Sequence, residues 1–191
     1  MSGRTQTSPA SLGQGPLTVR RLVPAPGLTS ARIVRAVRQT LSGHPIRNIS
    51  IALVDDATMA AIRERYTGLA GPTDVLAFDL RDEAARGAKH HGPPIEVQTP
   101  IEGEIVVSVD TARRQAACFG ADLPTEVLRY VIHGILHLRG LDDHTRAGRA
   151  RMRRAEDGVI ATLAGRPLPH RPPRRERSAA RHARRRTASR A

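Results

Sequence analysis

Alternating runs of β-branched and aliphatic residues predict four strands along the chain. The clearest run covers residues 46–54, where Ile49, Ile51 and Leu53 recur at every second position. The other predicted strands cover residues 17–23, 73–80 and 103–109. Gly68, Gly71 and Pro72 are typical of a loop before the third strand.

Five further segments carry apolar residues at three- and four-residue spacing, which predicts helices. They cover residues 29–42, 55–66, 110–120, 124–140 and 145–163. Asp55 or Asp56 is placed to cap the second of these helices, and Asp110 the third. The resulting order, β α β α β β α α α, predicts an α+β fold with one mixed β-sheet packed with helices.

The two ends of the chain differ in composition from its middle. Residues 1–16 are rich in Ser, Gly, Pro and Gln and predict a disordered lead-in, and residues 165–191 predict a disordered, Arg-rich tail. One domain is expected over residues 17–164. The tail holds ten Arg against one Glu and so carries +9 of the formal net charge of +13. We expect it to contact RNA, the alternative being a solubilising extension.

The remaining composition excludes several classes of protein. The chain has a single cysteine, Cys118, so an intramolecular disulfide and a multi-cysteine zinc finger are both excluded. Cys118 itself is expected to be a buried, small apolar residue. No apolar run is long enough for a signal peptide or a membrane span, which predicts a soluble, cytoplasmic protein without a membrane partner. His90 and His91 fall in the polar segment 81–99, which reads as a surface hairpin or mobile loop.

A possible metal site lies in the fourth predicted helix and the turn after it. His133 and His137 are four residues apart, so both rings project from one face of this central helix. Gly140 lets the chain turn, so that Asp143 or His144 can return to the same metal. Three protein ligands leave one position for water, which is typical of catalytic zinc. The sequence therefore predicts one Zn2+ per chain.

The residue after His133 argues against one class of zinc enzyme. Zinc peptidases with two helical histidines need a glutamate at this position as the general base. Here the position is Gly134, which leaves the general base unassigned.

Three motifs in the same order are similar to those of the YbeY family of bacterial rRNA maturation factors and endoribonucleases. They are HGILHLRGLDDH at residues 133–144, PTDVLAFDL at 72–80 and GEIVVS at 103–108. The resemblance covers roughly residues 19–163. It implies an α+β fold with a zinc site and a single-strand endoribonuclease. It also implies a role in 16S rRNA 3′-end maturation and ribosome quality control, with ribosomal RNA and the small ribosomal subunit as partners.

The chain departs from the family pattern at functionally important positions. Asp143 stands where the family has its third histidine, so the resemblance favours it as the third ligand, with His144 as the alternative. The family often has an arginine directly after the tyrosine of an earlier helix, where this chain has Thr67. Arg63 or Arg65 can substitute only from another direction. Asp74 is a candidate for contacting substrate or orienting a ligand, or it simply caps the strand.

Two alternative functions are compatible with the same residues. A ribosome-assembly factor without enzymatic activity would use the zinc site structurally. A hydrolase of another substrate, such as a peptide, would have to act without the glutamate that position 134 lacks.

Overall fold

The computed structural model describes residues 16–82 and 99–165, and the elements follow in the order that the sequence predicts. The strands are β1 (Leu17–Arg21), β2 (Ile46–Val54), β3 (Val75–Asp79) and β4 (Ile101–Ser108). The helices are α1 (Ser30–Thr40), α2 (Asp56–Thr67), α3 (Val109–Phe119), α4 (Leu123–Leu138) and α5 (Arg146–Ala164). Most of the predicted disordered ends (residues 1–15 and 166–191) and most of the segment with His90 and His91 (residues 83–98) lie outside the described residues.

The four strands form one mixed sheet, which confirms the predicted α+β class. Their order across the sheet is β1-β2-β4-β3. β1 and β4 both run parallel to β2, and β3 pairs antiparallel to β4 as an edge strand. Helical connections separate the parallel strands, as such pairing requires.

The sheet buries both faces, but unequally. The larger core lies between one face and the helices α1, α3, α4 and α5, and it includes Ile51, Ile105 and Ile132. The smaller core lies on the opposite face, where Met59 of α2 packs with Val106. Within the described ranges, no helix is both long enough and apolar enough to cross a membrane.

The N-termini of α2 and α3 cap each other at one end of the sheet. The Asp56 carboxylate accepts hydrogen bonds from Ser108 Oγ at 2.5 Å and Thr111 Oγ1 at 2.9 Å, and it pairs with Arg114 at 2.6 Å. In return, Asp110 Oδ2 accepts the Asp56 N–H at 3.2 Å. Because β2 and β4 are parallel neighbours, the helices that follow them begin side by side.

Two expectations about α3 are wrong. Ser108, not Asp110, is its N-cap, since Ser108 Oγ accepts the Thr111 N–H at 3.0 Å while Asp110 serves the neighbouring helix. Cys118 is exposed rather than buried. The buried face of α3 is formed by Val109, Ala112 and Ala116, and a residue two positions beyond Ala116 points away from it.

A buried arginine joins the edge strand to the end of α4. Arg81 is only 2% exposed. Its Nε and Nη2 donate to the two Asp79 carboxylate oxygens at 2.9 and 2.6 Å, and Nη2 also donates to Leu138 O at 2.7 Å. This satisfies one of the carbonyls that a helix C-terminus leaves open.

The Asp56 network predicts a defined acid sensitivity. Burial raises the pKa of Asp56, but the hydrogen bonds from Arg114, Ser108 and Thr111 together outweigh burial and hold the pKa below its ordinary value of 3.8. The network therefore stabilises the fold above that value, and its contribution is lost as the pH falls through the lowered pKa. Asp56→Asn should reduce the free energy of unfolding at pH 7 by about 1–3 kcal/mol.

Urea unfolding at pH 7 and below about pH 4 tests this prediction. The variant should lose less additional stability on acidification than the wild type. Asp82→Asn, which changes an exposed carboxylate, is the matched control and should behave as the wild type. An equal decline in the wild type and Asp56→Asn would contradict the assignment.

Candidate metal centre

Helix α4 lies against the sheet at the position between the two histidines. A Cβ at Gly134 would lie 2.8 Å from Ile105 Cδ1 and 3.3 Å from Val75 Cγ2. Position 134 therefore faces β4 and β3, and a side chain there would displace the ends of Ile105 and Val75. A glutamate at this position would thus meet the apolar face of the sheet, which disfavours the peptidase base.

The two imidazoles face each other through the same ring nitrogen. His133 Nε2 and His137 Nε2 are 3.0 Å apart, with the rings close to perpendicular. The other nitrogen of each ring is engaged with an acceptor: His133 Nδ1 donates to Glu156 Oε1 at 2.8 Å, and His137 Nδ1 to Leu141 O at 2.9 Å. These contacts orient both rings and leave both Nε2 lone pairs directed into one space.

Asp143 completes the arrangement from the turn after α4. One carboxylate oxygen lies 3.9 Å from His133 Nε2 and the other lies 3.9 Å from His137 Nε2. Gly140 adopts a φ of 84°, which lets the chain leave the helix toward this position.

Two features of α5 hold the turn that carries Asp143. Gly148 has no room for a Cβ, because the carbonyl of Asp142 packs directly on it. Arg149 Nη1 donates to the carbonyls of Asp143 at 3.2 Å and His144 at 2.9 Å. The start of α5 therefore fixes the path of the backbone on both sides of the carboxylate.

The donor set fits a metal ion. The ligand atoms of His133, His137 and Asp143 all lie within 4.8 Å of one another, and donors around tetrahedral zinc are about 3.3 Å apart. In neutral rings, two lone pairs facing each other at 3.0 Å repel unless a cation or a proton lies between them. Two imidazoles and a carboxylate are also ligands that zinc accepts.

His144 lies on the outer side of the same turn. Its side chain is 84% exposed, and its Nε2 is 3.6 Å from Asp142 Oδ1. It belongs to a second group of possible ligands with Asp142 and Asp143, not to the group that contains the histidine pair. The structure thus brings Asp143, and not His144, toward His133 and His137.

The two candidate catalytic residues occupy different surroundings. Asp74 directly precedes β3, accepts a hydrogen bond from Thr73 Oγ1 at 2.9 Å, and is close enough to His133 to act on it electrostatically. Arg65 lies on the exposed side of α2, with its guanidinium 5.7 Å from the Tyr66 ring centroid. Arg63 instead donates to loop carbonyls, at 3.2 Å to Gly71 O.

The electrostatic environment distinguishes the two histidines. Burial lowers the pKa of His133, but the hydrogen bond and charge of Glu156, with the charges of Asp74 and Asp143, outweigh burial and raise it. Burial and the neighbouring His133 lower the pKa of His137. His133 is therefore the more basic of the two histidines.

A family model described as Endoribonuclease YbeY matches residues 28–164, which include every residue of this site. The chain belongs to this family. The resemblance inferred from the three motifs is thereby confirmed. Among the elements that the structure describes, the match covers everything from α1 to α5, and only β1 lies outside it.

Individual relatives agree with the family match. Endoribonuclease YbeY of Desulfitobacterium hafniense is 33% identical over 138 residues, covering 72% of this chain and 84% of the relative. Endoribonuclease YbeY of Cutibacterium acnes is 41% identical over 119 residues, covering 62% of this chain and 73% of the relative. A Thermotoga maritima protein solved in solution superimposes with a TM-score of 0.51 at 23% identity, covering 77% of this chain and 89% of its own. That last likeness shows the fold alone.

The sequence did not reveal that Glu156 and Arg129 support His133 from behind the site. Glu156, which contacts His133, is itself buried and lies 3.3 Å from Arg129 Nη1, and the same nitrogen is 2.7 Å from Asp157 Oδ1. A signal was available in the sequence of α5. Its buried residues recur every fourth position as Gly148, Met152, Glu156 and Ile160, so a carboxylate interrupts an otherwise uncharged stripe.

The Glu156 contact predicts a change in metal affinity. Glu156→Gln keeps the size of the side chain but removes the charge that orients the His133 Nδ1–H, so Zn2+ affinity should fall by about 10- to 100-fold. Competition with a chromophoric chelator measures it, and thermal unfolding of the metal-free variant checks the fold. Asp157→Asn is the control, because it alters the other partner of Arg129 without touching His133. Equal losses in the two variants would refute a specific role for Glu156.

Proposed function

We propose that the protein is a zinc-dependent endoribonuclease that cleaves single-stranded ribosomal RNA. Its metal ligands are His133, His137 and Asp143. The observation that carries the proposal is the convergence of both Nε2 atoms and the Asp143 carboxylate on one point. Membership of the Endoribonuclease YbeY family supports the hydrolysis of RNA as the reaction.

One zinc ion per chain suits this donor set. A zinc ion with three protein ligands and an open position supplies a Lewis acid for phosphodiester hydrolysis at neutral pH. The chain itself holds the three ligands in place. Glu156 and the Leu141 carbonyl orient the imidazoles, and Arg149 fixes the backbone that carries Asp143.

Asp74 and Arg65 are the side chains proposed to act on the substrate. Asp74 is a carboxylate at the start of β3 within electrostatic range of His133, which suits a group that accepts a proton at the site. Arg65 offers an exposed positive charge for the RNA backbone. These two roles are independent of the metal ligands, so substitutions of Asp74 and of Arg65 test them separately.

The substrate is proposed to be the 3′ end of 16S rRNA, on the small ribosomal subunit in the cytoplasm, with a role in ribosome quality control. Residues 17–164 are proposed as the catalytic domain, between the lead-in over 1–16 and the Arg-rich tail over 165–191. The ten arginines of the tail suit non-specific contact with phosphates.

Paired variants test the ligand set and the reaction together. His137→Ala and Asp143→Ala should each lose bound zinc and lower cleavage of a labelled single-stranded RNA by roughly a hundredfold or more. His144→Ala, one residue beyond, should keep both. Metal content by mass spectrometry and turnover by gel assay measure the two effects. Zinc retained in Asp143→Ala but lost in His144→Ala would reverse the ligand assignment.

The same measurements distinguish an assembly factor with a structural zinc site. That alternative predicts unfolding on metal removal and no metal-dependent turnover. The catalytic proposal expects the metal-free protein to keep its helical circular dichroism, because the described core surrounds the site independently of any ion. It also expects activity to return when Zn2+ is added.

Removal of the tail should weaken RNA binding without altering the site. Deletion of residues 166–191 keeps Gly165, the C-cap of α5, so the fold should be preserved. The slope of log affinity against log salt should become shallower by several units, because fewer counterions are released. Fluorescence anisotropy over a salt series measures it. An unchanged slope would favour the solubilising role.

A further inference from the structure

Exposed apolar side chains concentrate at one edge of the sheet. Among the described residues, the large hydrophobic side chains that are more than half exposed are Leu22, Tyr66, Leu69 and Leu80. Tyr66 and Leu69 lie at and just after the end of α2, and Leu80 directly follows β3. Leu22 follows β1 and so lies at the opposite edge of the sheet. Clustered exposed apolar groups are typical of binding surfaces.

Tyr66 is the centre of this surface. Its side chain is 62% exposed, although its ring packs against Phe78 with centroids 5.0 Å apart and an interplanar angle of 58°. The guanidinium of Arg65 lies 5.7 Å from the Tyr66 ring centroid. We call Arg65, Tyr66 and Phe78 the Tyr66 platform. Aromatic residues are only 2% of the chain, so pairing two of them in an exposed position is unusual here.

The backbone beside the Tyr66 platform is held in place. Gly68 ends α2 in a left-handed conformation with a φ of 68°. Arg63 Nη1 donates to the carbonyls of Ala70 at 3.4 Å and Gly71 at 3.2 Å, which draws the following loop back onto the helix. Thr67 Oγ1 donates to Arg63 O at 2.7 Å. The platform is therefore formed in advance and loses little conformational freedom on binding.

The platform and the candidate metal centre border the same strand. β3 begins beside α4, where Val75 approaches Gly134, and Asp74 just before it acts on His133. Phe78 lies three residues beyond Val75 on β3, a distance of about 10 Å at the usual rise of a strand. Its side chain belongs to the opposite face of the sheet, in the smaller core. Since β3 is an edge strand, one extended ligand can cross the edge and reach both places.

We propose that the Tyr66 platform binds a base of the single-stranded RNA substrate beside the cleavage site. This inference rests on the proposed function. A nucleobase stacks on the exposed Tyr66 ring, and Arg65 pairs with an adjacent phosphate. Stacking of this kind accepts any base and requires an unpaired strand. An aromatic ring accompanied by a cation suits a nucleotide better than it suits an apolar peptide, which would depend on Leu69 and Leu80 instead.

Binding and cleavage by the zinc-loaded protein test the platform. Tyr66→Ala should weaken binding of a hydrolysis-resistant, single-stranded phosphorothioate RNA by about tenfold, the usual scale for one stacked base. It should raise KM for cleavable RNA similarly while kcat and zinc content stay near the wild type. Tyr66→Phe keeps the ring and should bind within about twofold of the wild type. Leu22→Ala, an equally exposed residue at the other edge, should have no effect.

Abasic substitutions along the RNA identify the stacked position. One abasic site should weaken binding to the wild type by about tenfold and leave binding to Tyr66→Ala unchanged, because that base no longer has a partner. Duplex RNA of the same sequence should not distinguish the two proteins.

Three results would overturn the proposed role of the Tyr66 platform, and one of them also overturns the proposed function. If the wild type binds and cleaves single-stranded RNA but Tyr66→Ala does so equally well, the platform is wrong and the proposed function stands. If the wild type neither binds nor cleaves it, both fail. A larger loss of RNA affinity in Leu69→Ala or Leu80→Ala than in Tyr66→Ala also overturns it, since binding would then depend on the apolar side chains rather than on the Tyr66 ring.

Discussion

The close contact between α4 and the sheet at Gly134 sets the position of the candidate metal centre. With no side chain at position 134, the helix lies directly on Ile105 of β4 and Val75 of β3. His133 and His137 lie on either side of this contact, so their backbone is held by packing rather than by a metal. A side chain at position 134 would displace the ends of Ile105 and Val75, on which this part of the helix rests. The glycine therefore allows the close approach of α4 to the sheet and at the same time leaves the site without a peptidase base.

Charge is distributed around the site in two layers. Asp143 faces the Nε2 atoms of both imidazoles at 3.9 Å, and a second carboxylate, Glu156, is buried behind His133 at 2.8 Å from its Nδ1. Arg129 is also buried, and it lies against Glu156 and Asp157. A buried carboxylate without such a partner would be costly. The ion pair therefore offsets the cost of burying Glu156 where it orients His133.

The edge strand β3 links the features that concern substrate. Asp74, just before this strand, acts electrostatically on His133, and Val75, its first residue, lies against Gly134. Phe78 supports Tyr66 on the other face. Arg81, at its end, is hydrogen-bonded to the last turn of α4 through Leu138 O. A substrate that crosses this edge would therefore contact a strand that is held against α4 near both of its ends.

The sequence by itself determined the order of the elements, the α+β class, the family and the pairing of His133 with His137, because these depend on local periodicity, on spacing along one helix and on motifs. It also favoured Asp143 over His144 through the register of the family pattern. Only the tertiary structure decided that Cys118 is exposed, that Asp110 caps a neighbouring helix and that Glu156 lies behind His133. Each of these depends on how separate elements pack. Glu156 and His133 are on different helices, and no pattern within either helix specifies that their side chains meet at 2.8 Å.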